Sequence, residues 1–127
     1  MTTFDTNSGV PHCVVTDHWR ESTVVVSCVG VLDMVTAPYL QERLDAVVDR
    51  RPSVLIIDLS AVEFLASHGM NVLVMVRRRI AAEVRFAVVA DGPVTSRPLK
   101  LIGLAEMINL CPTLDQAYQK FGIETAR

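Results

Sequence analysis

Residues 13–19 (CVVTDHW) and 23–31 (TVVVSCVGV) are both rich in β-branched side chains, and the short gap Arg20-Glu21-Ser22 predicts an antiparallel hairpin. The second run is apolar on both faces, as a strand in the middle of a sheet must be. From Thr36 to Arg50 the period lengthens, and Leu40, Leu44, Val47 and Val48 fall on one helical face. Thr36 is placed to cap this helix, Pro38 lies in its first turn and Pro52 stops it. Residues 54–59 (VLIIDL) read as a buried strand with Asp58 near its end, and 68–82 as a second helix.

Residues 85–90 (RFAVVA) predict a further strand, with Asp91-Gly92-Pro93 as the turn after it. A short helix over 95–102 ends at Gly103, which fits a left-handed C-cap with Leu104 as its apolar contact. Residues 107–110 predict a last short strand. Thr113-Leu114-Asp115-Gln116 then has the form of a capping box, opening a helix that ends near Gly122. The order is ββαβαβαβα, which implies right-handed crossovers and a mostly parallel central sheet in one α/β domain. The helices are few and amphipathic, so they are expected mainly on one face. Residues 1–10 lack periodicity and read as a mobile N-terminal arm, 11–122 as the domain and 123–127 as a C-terminal tail.

Composition narrows the function. The chain has 127 residues, 50% hydrophobic and 20% charged, enough for one packed core and unlike a disordered chain. Net charge is −2 and aromatics are 6%, which argues against a surface built to neutralise phosphates or stack bases. No apolar run approaches the ~20 residues that span a bilayer, and the polar start has no signal-peptide form, so a cytoplasmic protein is expected. Cys13, Cys28 and Cys111 contain no C-x-x-C spacing and read as buried reduced thiols. His12, Cys13 and His18 lack a fourth ligand at metal-site spacing, so no metal and no cofactor is expected.

The glycines never form G-x-G-x-x-G, and neither Lys100 nor Lys120 follows a glycine in a phosphate-binding loop. G-x-S-x-G and H-E-x-x-H are both absent. Ser67 and His68 are adjacent, but helical neighbours point about 100° apart, a poor arrangement for a nucleophile and its base. Nothing nominates an enzyme.

The most informative stretch is 57–79, from Ile57-Asp58-Leu59-Ser60 through Val62-Glu63-Phe64-Leu65 to Ala66-Ser67-His68-Gly69 and the helix after it. It resembles the STAS-domain family, in particular the bacterial anti-sigma factor antagonists, whose pattern is a strand ending Asp-Leu-Ser/Thr, a V-x-F/Y-hydrophobic loop and Asp-Ser-Ser/Thr-Gly opening a helix. Gly30-Val31-Leu32-Asp33 with Thr36-Ala37 is similar to the family's G-x-L-D…T-A turn. Residues 85–90, and 99–110 with Gly103-Leu104, resemble its later segments, so the likeness runs over about 10–121. It implies a STAS fold and a regulator, not an enzyme. In that family the first Ser of Asp-Ser-Ser-Gly is phosphorylated by the partner anti-sigma factor, a serine kinase, and a phosphatase reverses it. The dephosphorylated form binds the kinase, which then releases its sigma factor. Ser67 takes the phosphoacceptor position and Gly69 the glycine; Ala66 replaces the Asp and His68 the second Ser.

Read from the residues alone, a Ser directly before a helix is an N-cap, worth about 1 kcal/mol. The two roles are compatible, because a phosphate adds about −1.5 to −2 charge where the helix dipole favours it. At 100° per residue, Gly69, Val72, Leu73, Val76 and Ile80 form the face that packs on the sheet. Ser67, Asn71, Met75 and Arg78 lie opposite, flanked by Met70 and Val74; an apolar, adaptable Met on a polar face suits a binding surface. The expected partner surface is therefore Asp33, Ala66, Ser67, His68, Met70, Asn71, Val74, Met75 and Arg78, with Asp33 carried from its place in the family. Asp58 reads as structural, and Arg77-Arg78-Arg79 as cations at a helix C-terminus rather than a nucleic-acid patch.

The expected partners are a kinase-type anti-sigma factor and a serine phosphatase, with no nucleic acid and no membrane, for a monomer or weak homodimer. Two alternatives stay open. Ala66 suits a STAS module of another assembly, such as a stressosome-like scaffold or a lipid-transport accessory subunit. The turn around Asp33 and the loop 91–97, with the helix starts near Ser67 and Thr95 supplying amides, suit a small nucleotide or anion sensor.

Overall fold

The computed structural model describes residues 2–3 and 13–124. Its elements are β1 (Thr2–Thr3), β2 (Cys13–Arg20), β3 (Thr23–Leu32), α1 (Ala37–Asp49), β4 (Val54–Leu65), α2 (Ser67–Arg79), β5 (Arg85–Val89), α3 (Ser96–Leu101), β6 (Leu110–Cys111) and α4 (Leu114–Lys120). Every element expected from the pattern is present in the expected order. The strands form one six-stranded sheet in the sequence order β1-β2-β3-β4-β5-β6. The β1–β2 and β2–β3 pairs are antiparallel, and β3, β4, β5 and β6 run parallel to one another.

Several boundaries differ from the expectation, each for a local reason. The arm 1–10 contributes β1, where Thr2 lies opposite Val15 and Thr3 opposite Val14. Edge pairing uses backbone groups, so no apolar pattern announces it; residues 4–10 of the arm lie outside the described residues, as does His12. β4 continues past Leu59 to Leu65, because the long β3 keeps offering it backbone partners through two register shifts, between Ser27 and Val29 and between Gly30 and Val31. At the shift Asp58 accepts the Ser60 N–H at 2.9 Å, the structural role expected of it. β6 begins at Leu110 rather than 107, since Asn109 sits at φ +57 and cannot extend the strand. In the expected tail, Ile123 donates its N–H to the Tyr118 carbonyl and packs on the core.

Thr36 stands at the N-cap of α1, but its side chain makes no cap bond. Its side chain is buried and reaches back, donating to the Val31 carbonyl at 2.5 Å. Asp33 closes the turn that leads into the helix, its Oδ1 accepting the N–H groups of Val35 and Thr36 at 2.9 and 3.1 Å. The end of α3 follows the expected form. Gly103 has φ +83, its N–H reaches the Lys100 carbonyl, and Leu104 N–H reaches the Leu99 carbonyl, both at 3.0 Å. At α4 the Thr113 hydroxyl accepts the Gln116 N–H at 3.1 Å.

The strand order decides where the helices go. Successive parallel strands always step the same way, so right-handed crossovers place α1, α2 and α3 on one face. There Leu40, Leu44 and Val47 of α1, Val72, Leu73 and Val76 of α2 and Leu99 of α3 share a core with Val24, Val26, Leu55, Ile57 and Val88. The helix after β6 is bound by no crossover, and α4 covers Val25, Val54, Ile56, Ala87 and Val89 on the other face through Ala117, Leu114 and Tyr118. Cys13 and Cys28 lie in the first core and Cys111 in the second, all as free thiols. A hydrogen bond to Cys13, together with burial, pushes the Cys28 thiol up.

One charged contact ties the hairpin to α1. Asp17 on β2 accepts the Trp19 indole N–H at 2.7 Å and pairs with Arg43, while the Arg50 guanidinium lies 3.9 Å from the centre of the Trp19 ring. Burial alone would raise the Asp17 carboxyl, but the Trp19 and Arg43 bonds outweigh it and hold the group below its ordinary 3.8. A depressed carboxylate contributes stability that is complete above the unfolded value and is lost as pH falls through the folded one. Thermal melts should therefore fall as pH drops below 3.8, and Asp17→Asn should melt lower at pH 7 with a flatter acid limb. Leu73→Glu, at a fully buried position, should abolish cooperative unfolding in urea, because it sets an unpaired charge against the sheet.

Candidate functional site

The carboxyl ends of β3, β4 and β5 share one edge of the sheet because these strands are parallel. In open α/β sheets that edge is where ligands and partners are met. Here it carries the β3–α1 turn, the start of α2 and the β5–α3 turn.

The start of α2 is fixed by two contacts to β3. Ala66 donates its N–H to the Leu32 carbonyl at 2.8 Å, and Gly69 packs on Leu32 and Leu65. A Cβ on Gly69 would stand 2.8 Å from Leu65 Cδ1 and 3.0 Å from Leu32 Cβ, so only a glycine lets the helix lie this close. Ala66 is extended and its carbonyl accepts the Met70 N–H at 3.1 Å, which makes Ala66 the N-cap. Ser67 is thus the first helical residue and not the cap expected of it, and the helix has no side-chain cap bond. The strand runs straight to Leu65, and this moves the helix start one residue earlier than 68. Among the described residues the Ser67 hydroxyl has no protein partner, and it is exposed.

The rest of the helix divides as its period predicts. Gly69, Val72, Leu73 and Val76 are buried, as is Ile80 just beyond the last turn. Ser67, His68, Asn71, Met75 and Arg78 are exposed, with Ala66, Met70 and Val74 half-buried beside them. The three arginines point apart: Arg77 donates to the Met107 carbonyl at 3.2 Å, Arg79 pairs with Asp45 and Asp49, and Arg78 faces solvent. That is the dispersed arrangement expected of helix-end cations.

Asp33 stands on the same edge but is half-buried and held by its own turn. Besides the Val35 and Thr36 N–H groups, its carboxylate meets the Thr36 hydroxyl at 3.2 Å. The turn it closes pushes Met34 and Val35 into solvent, 65% and 52% exposed. Val94, in the β5–α3 turn, is also exposed. Sequence reasoning missed these three. The signal was present as an apolar pair, Met34-Val35, inside a turn between a strand-ending Asp and a helix, where polar residues are the rule. Phe64 is exposed too, but Leu65 next to it is buried under α2, so strand alternation sends Phe64 to the opposite face.

The 91–97 loop spends its polar atoms on itself. Ser96 Oγ bonds both the N–H and the carbonyl of Gly92 at 2.9 Å, and the Arg97 N–H goes to the Gly92 carbonyl at 3.1 Å. Thr95 is buried and makes no side-chain cap bond. Among the described residues, no group of His, Cys, Asp and Glu converges to hold a metal, and no helix is long and apolar enough to cross a membrane.

Comparison with known proteins reaches the same region. The family model for the STAS domain matches residues 16–117. A curated relative, anti-sigma-F factor antagonist RsfB of Mycobacterium tuberculosis, is 44% identical over 103 residues, 81% of this chain and 83% of the relative. The crystal structure of an anti-sigma factor antagonist from Mycobacterium paratuberculosis is also 44% identical, with TM-score 0.82 over 85% of this chain and 92% of that one. The anti-sigma factor antagonist SpoIIAA in its unphosphorylated form shares the fold at TM-score 0.71 and 16% identity, over 88% of this chain and all of the other. With one family model spanning most of both cores and both edges of α2, this chain belongs to the STAS-domain family.

Proposed function

We propose that this chain is an anti-sigma factor antagonist, a bacterial binding protein that engages a serine-kinase-type anti-sigma factor and frees its sigma factor by partner exchange. Phosphorylation of Ser67 by that kinase switches binding off, and a serine phosphatase restores it. The observation that carries this reading is the presentation of Ser67. Its hydroxyl is exposed and unpaired among the described residues, on a helix turn pinned to β3 by Ala66 and Gly69. A kinase can reach it without unfolding anything, and a phosphate there meets the favourable end of the α2 dipole. The curated relative's name supports the partner class.

Met34 and Val35 at this end of the sheet and Met70, Val74 and Met75 along α2 supply the apolar part of the docking surface, and His68, Asn71 and Arg78 complete it. Ala66 contributes backbone, as the cap. Asp33 acts by holding the Met34-Val35 turn outward, a positioning role rather than a direct contact. A STAS module of another assembly would use the same face without the kinase step, and the alanine at position 66 favours that second reading.

The test is incubation with ATP and the kinase-type anti-sigma factors of the host bacterium, with calorimetry and mass spectrometry in parallel. A complex before ATP is added and phosphate transfer to Ser67 after it is the expected result; a complex without phosphate transfer would favour the module, and no complex would overturn both. Ser67→Ala should bind as the parent does and melt within about 0.5 kcal/mol of it, since no cap bond is lost. Ser67→Asp should bind at least about tenfold more weakly while melting no lower, because a carboxylate suits the helix start. Met75→Glu and Arg78→Glu should also lower affinity with little change in melting temperature, since both side chains face solvent.

A further inference from the structure

The face of the sheet turned away from α1, α2 and α3 is covered over only part of its length. The helix α4 follows β6, which pairs with β5 at Val88 and Val89, and its side chains reach Val25, Ile56 and Val89. Beyond them, toward the carboxyl ends of β3 and β4, the same face carries Val29 at 49% exposure and Phe64 at 53%. Ala61 is exposed beside them, and Val14 and Val31 are half-buried. The register makes these one patch across β2, β3 and β4: Val14 lies opposite Val29, Val29 opposite Ala61 and Val31 opposite Phe64. A bulge builds it. Between the Gly30–Val62 and Val31–Phe64 pairs, β4 carries one residue more than β3, Glu63. Without that extra residue Glu63 would lie opposite Val31; with it, Phe64 takes the open face and Leu65 meets Leu32 in the core.

A contiguous apolar patch on a bare sheet face marks a contact surface, and two observations say what covers this one. The patch runs into the edge that carries the docking surface, since Val31 stands two residues before Asp33 and Phe64 three before Ser67. Its border is acidic. Asp58 lies on this face opposite Ser27, Glu63 is exposed, and residues 13–17, 27–32 and 58–65 contain no Lys, Arg or His. A second copy stacked patch on patch would bring like carboxylates together, and an anionic lipid surface would be repelled. Resting on the function proposed above, we infer that the anti-sigma factor straddles the carboxyl edge of the sheet and seats a segment of apolar side chains flanked by Lys or Arg on Val29 and Phe64. The exposed ring of Phe64 is the anchor, and Asp58 and Glu63 select the basic flank.

The experiment is calorimetry of the parent chain, the double variant Val29→Thr, Phe64→Thr and the single variant Glu63→Lys against the host's kinase-type anti-sigma factor without ATP. A thermal melt and a sedimentation run accompany each protein. Threonine keeps the strand preference of both positions, so the double variant should melt within about 3 °C of the parent. It should bind at least about tenfold more weakly. Glu63→Lys should bind at least about threefold more weakly with the same melt. Parent-like affinity in either variant would overturn the inference alone. A parent dimer that the double variant dissolves would also overturn it, by making the patch a contact between copies. So would a larger fall in the double variant's melting temperature, which would mean that the patch is covered within the chain. Failure of the parent chain to bind would instead overturn the function on which the inference rests.

Discussion

Two parallel strands can be joined only by a chain that leaves one end of the sheet and returns to the other, and this constraint organises the whole molecule. From β3 onward every step crosses over to the next strand in sequence order, always in the same direction. With one hand of crossover, α1, α2 and α3 must lie on one face and their starts must line one edge. The turn at Asp33, the start of α2 at Ser67 and the turn at Val94 are neighbours for that reason, although they are far apart in sequence.

Within that frame the placement of Ser67 depends on a close contact rather than on a cap. Gly69 lies against Leu32 and Leu65 with no room for a Cβ, and the Ala66 N–H is spent on the Leu32 carbonyl. These contacts bring the α2 start down onto the strand ends and leave the Ser67 hydroxyl without a partner among the described residues. On the function proposed here, stability and binding are thereby assigned to different faces. The buried stripe from Gly69 to Ile80 holds the helix, while the exposed stripe from Ser67 to Arg78 is free to change chemically.

Asp33 shows the same separation from the other side. One oxygen of its carboxylate, Oδ1, closes a turn, and that turn leaves Met34 and Val35 exposed. The cysteines stay outside this scheme. Cys13 and Cys28 share a hydrogen bond inside the larger core and Cys111 sits in the smaller one, with the Cys28 thiol held protonated by that bond and by burial.

The sequence by itself determined the order and type of the elements, because side-chain period reports local geometry: 54–59 reads as a buried strand and 68–82 as a helix with one apolar face. It also determined which α2 residues face solvent, since a helix fixes its own angles. It could not determine where strands stop, because pairing is made by backbone groups of another segment; β4 runs on to Leu65 and Thr2–Thr3 pairs at the edge without any apolar signal. That extension moved the helix start and changed Ser67 from a cap to the first helical residue. Only the tertiary structure could decide that the exposed Met34-Val35 turn and the start of α2 lie at the same end of the sheet, for that is a property of the paired strands and not of any stretch of chain.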